Sequence, residues 1–225
     1  MKLRVSTSAD AIKDSGGSSF ISGEAISPVT INFISISETK NGAKQADFNI
    51  TYSGNTQVIY GPIIENKDGS PNEIGLSLIN KLAVIAGFED GHELSLEEET
   101  HKVGKDNKAQ DFVVISDFSG MDVLLRTQRE YSKYNNEIRR ALKIRNVFRE
   151  DGASAAEISS GKEVGIQIEK ERERYTSAPN YVDGVTPEEA EAFEEAQRNN
   201  RAKDSSATPT SKVTAKRSSL FRNAN

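Results

Sequence analysis

The chain is 225 residues long, room for one ordinary domain with tails or two small ones, and 35% of it is hydrophobic, which supports a core over part of the chain only. Lys and Arg number 29 against 34 Asp and Glu, with no Cys and 2 His, so disulfide scaffolds, cysteine nucleophiles and thiolate metal sites are excluded and little is left for imidazole catalysis. The net charge of −5 hides a segregation that concerns partners rather than fold: −7 over 1–120, +5 over 121–149, −9 over 150–196 and +6 over 197–225.

Residues 1–23 are mostly small and polar, and Ser15-Gly16-Gly17-Ser18-Ser19 predicts a flexible lead-in. Period-two alternation then begins at 29–37, with Val29, Ile31 and Phe33 on one face. Asn41-Gly42 is a strong hairpin signal, and Phe48, Ile50 and Tyr52 alternate with polar residues in a second strand. Gly54-Asn55 turns the chain into a third strand, Val58 to Ile64. A helix follows, with Ser70 as N-cap, Pro71 in the first position, Glu73 completing a capping box and Gly87 ending it. Its apolar face is Ile74, Leu78, Leu82 and Ile85. A second helix is expected over Ser95–Val103.

Strand character returns at Phe112–Ile115 and Val123–Thr127. The stretch 122–148 predicts a β-hairpin with a long polar tip at 131–136, and Ser154–Ser160 a short helix boxed by Ser154 and Glu157. From these signals 24–160 forms the folded domain, 161–185 a linker, 186–200 an acidic helix opened by Thr186-Pro187-Glu188-Glu189, and 201–225 a basic tail too poor in apolar residues to order. Three strands, a helix and a hairpin is the element order of the OB-fold, a five- to six-stranded antiparallel barrel, mainly β with one packed helix between strands three and four. A six-stranded sandwich with one packed helix has the same order.

The basic hairpin carries the chemistry. Arg126, Arg129, Lys133, Arg139, Arg140, Lys143, Arg145 and Arg149 surround Tyr131 and Tyr134. Cations along a track displace the counterions of a polyanion, and aromatic rings stack on the exposed bases of a single strand. The plainer alternative is a solvated face that forms salt bridges to the acidic remainder. Lys40, Lys44, Tyr52 and Tyr60 form a second candidate patch, at the first hairpin and the neighbouring sheet face. The Glu89–His101 stretch has acids with His92 and His101, but no recognised ligand spacing, so neither a metal nor another cofactor is expected. No G-x-S-x-G and no Gly-rich phosphate motif occurs, and an enzyme is not expected. The acidic helix, with Phe193 among Glu188, Glu189, Glu191, Glu194 and Glu195, suits a partner's basic groove, the chain's own hairpin, or packing through Phe193 alone. No apolar run approaches the roughly 20 residues of a membrane span, and Met1-Lys2-Leu3-Arg4 leads into no signal-peptide core, so a soluble cytoplasmic protein is expected.

Several local patterns together resemble phage-encoded single-stranded DNA-binding proteins. They are Gly16-Gly17, Thr39-Lys40-Asn41-Gly42, Phe48-Asn49-Ile50, Lys67-Asp68-Gly69 before the Leu-rich helix, Val123 and Leu125, the Tyr131/Tyr134 segment, Asn146-Val147-Phe148, Gly152 and Ala156-Glu157-Ile158. The resemblance covers about residues 16–160 and rests on order and spacing. It implies an OB-fold, binding and protection of single-stranded DNA without chemistry, and a role in phage DNA replication, recombination or repair in the host cytoplasm. Members of that class usually end in an acidic tail that recruits replication proteins; here the acidic segment is internal and the last residues are basic, so recruitment falls to 186–200 if it occurs. A homo-oligomer is compatible with the class. Two rivals are a structural or virion-associated β protein that contacts DNA or another subunit through the hairpin, and a duplex- or RNA-binding regulator.

Overall fold

The computed structural model describes residues 20–104, 108–174 and 178–206. The described residues are mostly β, with eight strands in one largely antiparallel sheet and four α-helices. The expected flexible lead-in lies mainly outside the described residues, as does most of the basic tail. No described helix is long and apolar enough to cross a membrane.

Strands β1 (Ala25–Glu38), β2 (Lys44–Tyr52) and β3 (Asn55–Glu65) form a meander. The Asn41-Gly42 turn is present, closed by Gly42 N–H donating to the Thr39 carbonyl at 2.9 Å. The next turn is Ser53-Gly54 rather than Gly54-Asn55: both residues have positive φ (48° and 77°), the geometry that matches strand twist in a two-residue hairpin, and Asn55 already pairs with Tyr52.

Helix α1 (Glu73–Ala86) packs on the meander through Leu78, Ile79, Leu82 and Ile85. Its N-cap is Asn72, whose side chain accepts from Gly75 N–H at 3.1 Å, and not Ser70, whose hydroxyl instead donates to Asp68 at 2.6 Å. Ile74, expected on the core face, is 89% exposed, because the first turn of α1 meets β3 through its neighbour Gly75 instead. Gly75 takes the close contact there. A Cβ on it would stand 1.7 Å from the carbonyl oxygen of Ile63, so only glycine lets helix and strand meet at this distance.

The helix expected at Ser95–Val103 is a strand, β4 (Leu96–Val103), paired along its whole length with β5 (Lys108–Ile115). Its residues lack a helical apolar stripe. Instead alternate side chains turn inward, and His101 stacks on Phe33 of β1 with ring centroids 3.8 Å apart. Strand β1 has three partners, β2 along one edge and two strands that share the other. A register shift between Ile31 and Phe33 bends it, so 25–31 pair with β6 (Met121–Tyr134) and 34–36 with β5.

Strand β6 runs on into β7 (Glu137–Arg149). The expected long tip is a two-residue turn, since the ladder continues to Tyr134↔Glu137 and both Asn135 and Asn136 take positive φ (50° and 66°). Helix α2 (Ala155–Ser160) has the Ser154–Glu157 capping box. The stretch read as a linker holds α3 (Ile166–Arg174) and β8 (Asn180–Tyr181), which pairs parallel with β6. The acidic helix is α4 (Pro187–Ser206), with Thr186 and Glu189 exchanging hydrogen bonds at its start. One core, including Ile31, Phe48, Ile50, Leu82, Leu125 and Val147, fills the space between sheet and α1, and a small second cluster forms where Tyr131 meets α4.

Candidate functional site

The β6–β7 hairpin extends beyond the core, and its two faces differ. Direct cross-strand partners share a face in an antiparallel ladder, so Arg129, Tyr131 and Lys133 lie with Leu142, Arg140 and Ile138. That face is partly covered, most completely at Tyr131. Tyr131, expected to stack on bases, is 2% exposed and sits against Tyr181 and Phe193, with ring centroids 5.8 Å and 6.4 Å away. Its hydroxyl donates to Glu194 Oε1 at 2.7 Å, and Arg140 Nη1 donates to the same oxygen at 2.8 Å. Lys133 Nζ reaches Glu189 Oε1 at 2.8 Å. Helix α4 thus folds onto the chain's own hairpin, the second of the three roles its sequence suggested.

Other expected DNA contacts are also occupied from within. Arg129 grips Glu24 through Nε and Nη2 at 3.1 and 2.8 Å. Arg126 is buried and ion-paired with Glu171 of α3 at 3.0 Å. Arg149 holds Asp151, and Lys44 holds Glu65, each in an exposed pair. Burial by itself would raise the carboxyl of Glu24, but the hydrogen bond and charge of Arg129 hold it below the ordinary glutamate value. The same balance keeps Glu194 low, where Tyr131 and Arg140 outweigh burial, and Glu130 low, where Arg145 and Asn180 do. Burial and the bond to Glu194 push the Tyr131 phenol up to about 12.

The opposite face of the hairpin is open. Tyr134 at the tip is 56% exposed, and the Arg139 guanidinium lies over its ring at 4.3 Å. Lys143 follows on the same face and lines a groove of about 420 Å³ between β7, the end of β3 and α1. Arg145 is tied down by Glu130 at 2.7 Å and Gln128 at 3.2 Å. In the second patch, Tyr60 on β3 is 68% exposed and Lys40 stands out in the β1–β2 turn, whereas Tyr52 packs on the edge of the core. On α4, Glu188, Glu191 and Glu195 remain exposed.

Each histidine stacks on a phenylalanine and faces a carboxylate. His92 stacks on Phe88 at 4.2 Å and faces Asp117 at 3.3 Å, and His101 bonds Glu99 at 2.6 Å. Among the described residues, no group of three or more His, Asp or Glu side chains is arranged to hold a metal ion. The residues not foreseen as partners of the hairpin are Glu24 and Glu171. Glu24 stands alone in sequence and gives no signal, whereas Glu171 belongs to an alternating-charge run that could have been matched to a buried cation. No protein-family model matches the chain, and no curated protein or solved structure matches it either. The functional conclusion therefore rests on the site's own geometry.

Proposed function

We propose that the protein binds single-stranded DNA, without sequence preference and without catalysing a reaction, through the open face of the β6–β7 hairpin. The observation that carries this is the Tyr134–Arg139 pair: an exposed ring at a hairpin tip with a guanidinium held 4.3 Å over it. A base stacks on such a platform whatever its identity, and the neighbouring cations Arg139 and Lys143 meet the phosphates. Duplex DNA hides its base faces and gains only the charge term. The topology supports the same conclusion. β1–β2–β3, α1 and β6–β7 follow the order of an OB-like barrel, with β4–β5 added between α1 and β6, and in that barrel the last hairpin is a habitual binding edge. The resemblance of residues 16–160 to phage single-stranded DNA-binding proteins implies a role in protecting single strands during phage DNA replication, recombination or repair.

Fluorescence anisotropy with labelled oligo-dT, duplex DNA and RNA at two salt concentrations tests this. Oligo-dT should bind best, and more weakly as salt rises. Absent oligo-dT binding at low salt, or equal affinity for duplex, overturns the proposal.

A further inference from the structure

Strand β4 (Leu96–Val103) is the last strand in its branch of the sheet, and among the described residues β5 is its single partner strand. The β4–β5 ladder is regular from Leu96↔Ile115 to Val103↔Lys108, and just beyond it Ser116 N–H donates to the Ser95 carbonyl at 3.2 Å. Backbone groups alternate sides along an antiparallel ladder. That bond therefore sets Ser95, Glu97, Glu99, His101 and Val103 toward β5, and turns the N–H and C=O groups of Leu96, Glu98, Thr100 and Lys102 outward. An outward row of unpaired backbone groups is a template for another strand.

We infer that this edge pairs with the same edge of a second copy of the chain, antiparallel about a two-fold axis at Thr100. Two identical antiparallel strands related by a two-fold axis keep their faces, so only registers that place even-numbered residues opposite even-numbered ones are allowed. The outward row, also even-numbered, satisfies this. With the axis at Thr100, Glu98 lies opposite the second copy's Lys102, and Glu99 opposite its His101, each twice by symmetry. Thr100 meets Thr100, an uncharged β-branched pair that suits a strand. Sliding to an axis at Glu99 would put two glutamates face to face, and an axis at His101 would lose the Glu98–Lys102 pairs, so charge complementarity favours the register at Thr100. The same charges keep unrelated strands off the edge. Leu96, 59% exposed beside the half-exposed Val113, loses solvent contact as the second strand arrives. A symmetric, self-complementary patch is what a closed dimer requires.

Sedimentation equilibrium of the full chain, at tens of micromolar and with no nucleic acid present, reads the outcome independently of DNA binding. The chain should have twice its monomer mass. Glu98→Lys places lysine against Lys102, and Lys102→Glu places glutamate against Glu98, so each variant alone should be monomeric. An equimolar mixture of the two restores both opposite-charge contacts and should form a heterodimer, a rescue that misfolded variants could not give. Thr100→Pro, which removes an outward N–H and, toward β5, only the hydroxyl's bond to Asp111 at 2.6 Å, should also be monomeric. A monomeric native chain, an oligomer indifferent to these substitutions, or a mixture that stays monomeric overturns the inference.

Discussion

The phenol of Tyr131 on β6 and the carboxylate of Glu194 on α4 meet at 2.7 Å, and the same carboxylate takes Arg140 of β7 at 2.8 Å. One acid thereby joins the helix to both strands of the hairpin. Tyr131→Phe keeps the ring against Tyr181 and Phe193 and deletes only the hydrogen bond to a charged acceptor. A loss of about 1.5 kcal/mol is expected, the low end for such bonds because Glu194 retains Arg140. Urea unfolding of both proteins measures it, and equal midpoints would show that the bond contributes nothing.

Stability should also depend on pH at both ends. The Tyr131 pKa is raised to about 12, above the usual value near 10. Its contribution is therefore whole below pH 10 and is lost as pH rises through the folded value. Relative to Tyr131→Phe, the native chain should weaken on the order of 1.4 kcal/mol per pH unit above pH 10. Glu24, Glu130 and Glu194 are shifted the other way, so their contribution is present above the ordinary glutamate range and is lost as pH falls through their lowered values. Denaturant midpoints across pH 2–12 check both limbs, and a flat acid limb would contradict the pairing of these carboxylates.

Two substitutions in the first turn of α1 should behave in opposite ways. Gly75→Ala drives a methyl to 1.7 Å from the Ile63 carbonyl oxygen and must lift the helix from β3, costing at least about 1–3 kcal/mol. Ile74→Ala trims an exposed side chain and should change stability by no more than about 0.5 kcal/mol. Melting curves decide, and a neutral Gly75→Ala would mean that helix and strand do not approach as described.

Much of this fold was legible because its signals are local. Asn41-Gly42, Gly87 and the Ser154–Glu157 box each act within a few residues and are found in the expected roles. β4 was misread because Glu97-Glu98-Glu99 has good helix propensity, while its strand conformation comes from β5 and from Phe33 packing on His101, contacts distant in sequence. The hairpin was found as a basic element, but alternation alone could not say which face α4 would cover. The charge complementarity between the hairpin and Glu189 and Glu194 was visible; the commitment of Tyr131 to the covered face came from register. Tyr134, only three positions away, falls on the other side.

Neutralising α4 should uncover cations for DNA. In Glu189→Gln/Glu194→Gln, Lys133 and Arg140 lose their carboxylate partners. Oligo-dT affinity should rise, and the log-affinity against log-salt slope should steepen by roughly 0.7 for each cation that gains a phosphate. Unfolding curves, compared with those of Tyr131→Phe, separate this from loosening of the helix. Unchanged affinity and slope would show that the covered face takes no part in binding.

The open face allows a sharper test, because its two groups touch each other. Arg139→Ala should weaken oligo-dT binding and flatten the salt plot by roughly 0.7, the loss of one phosphate contact. Tyr134→Ala removes a stacking ring and should cost on the order of 1–3 kcal/mol with much less change in slope. Yet the guanidinium lies 4.3 Å over that ring, so losing Tyr134 also frees Arg139 to move. The double variant should then lose less than the two single losses added together, with the shortfall giving the coupling of the pair. Neither variant should unfold, since Tyr134 and Arg139 are both exposed at the end of the hairpin. Binding isotherms at three salt concentrations, with melting curves alongside, provide all the terms. An unaltered slope for Arg139→Ala would remove its phosphate contact, and an unaltered affinity for Tyr134→Ala would remove base stacking. Strict additivity in the double variant would show that ring and guanidinium act on the strand separately.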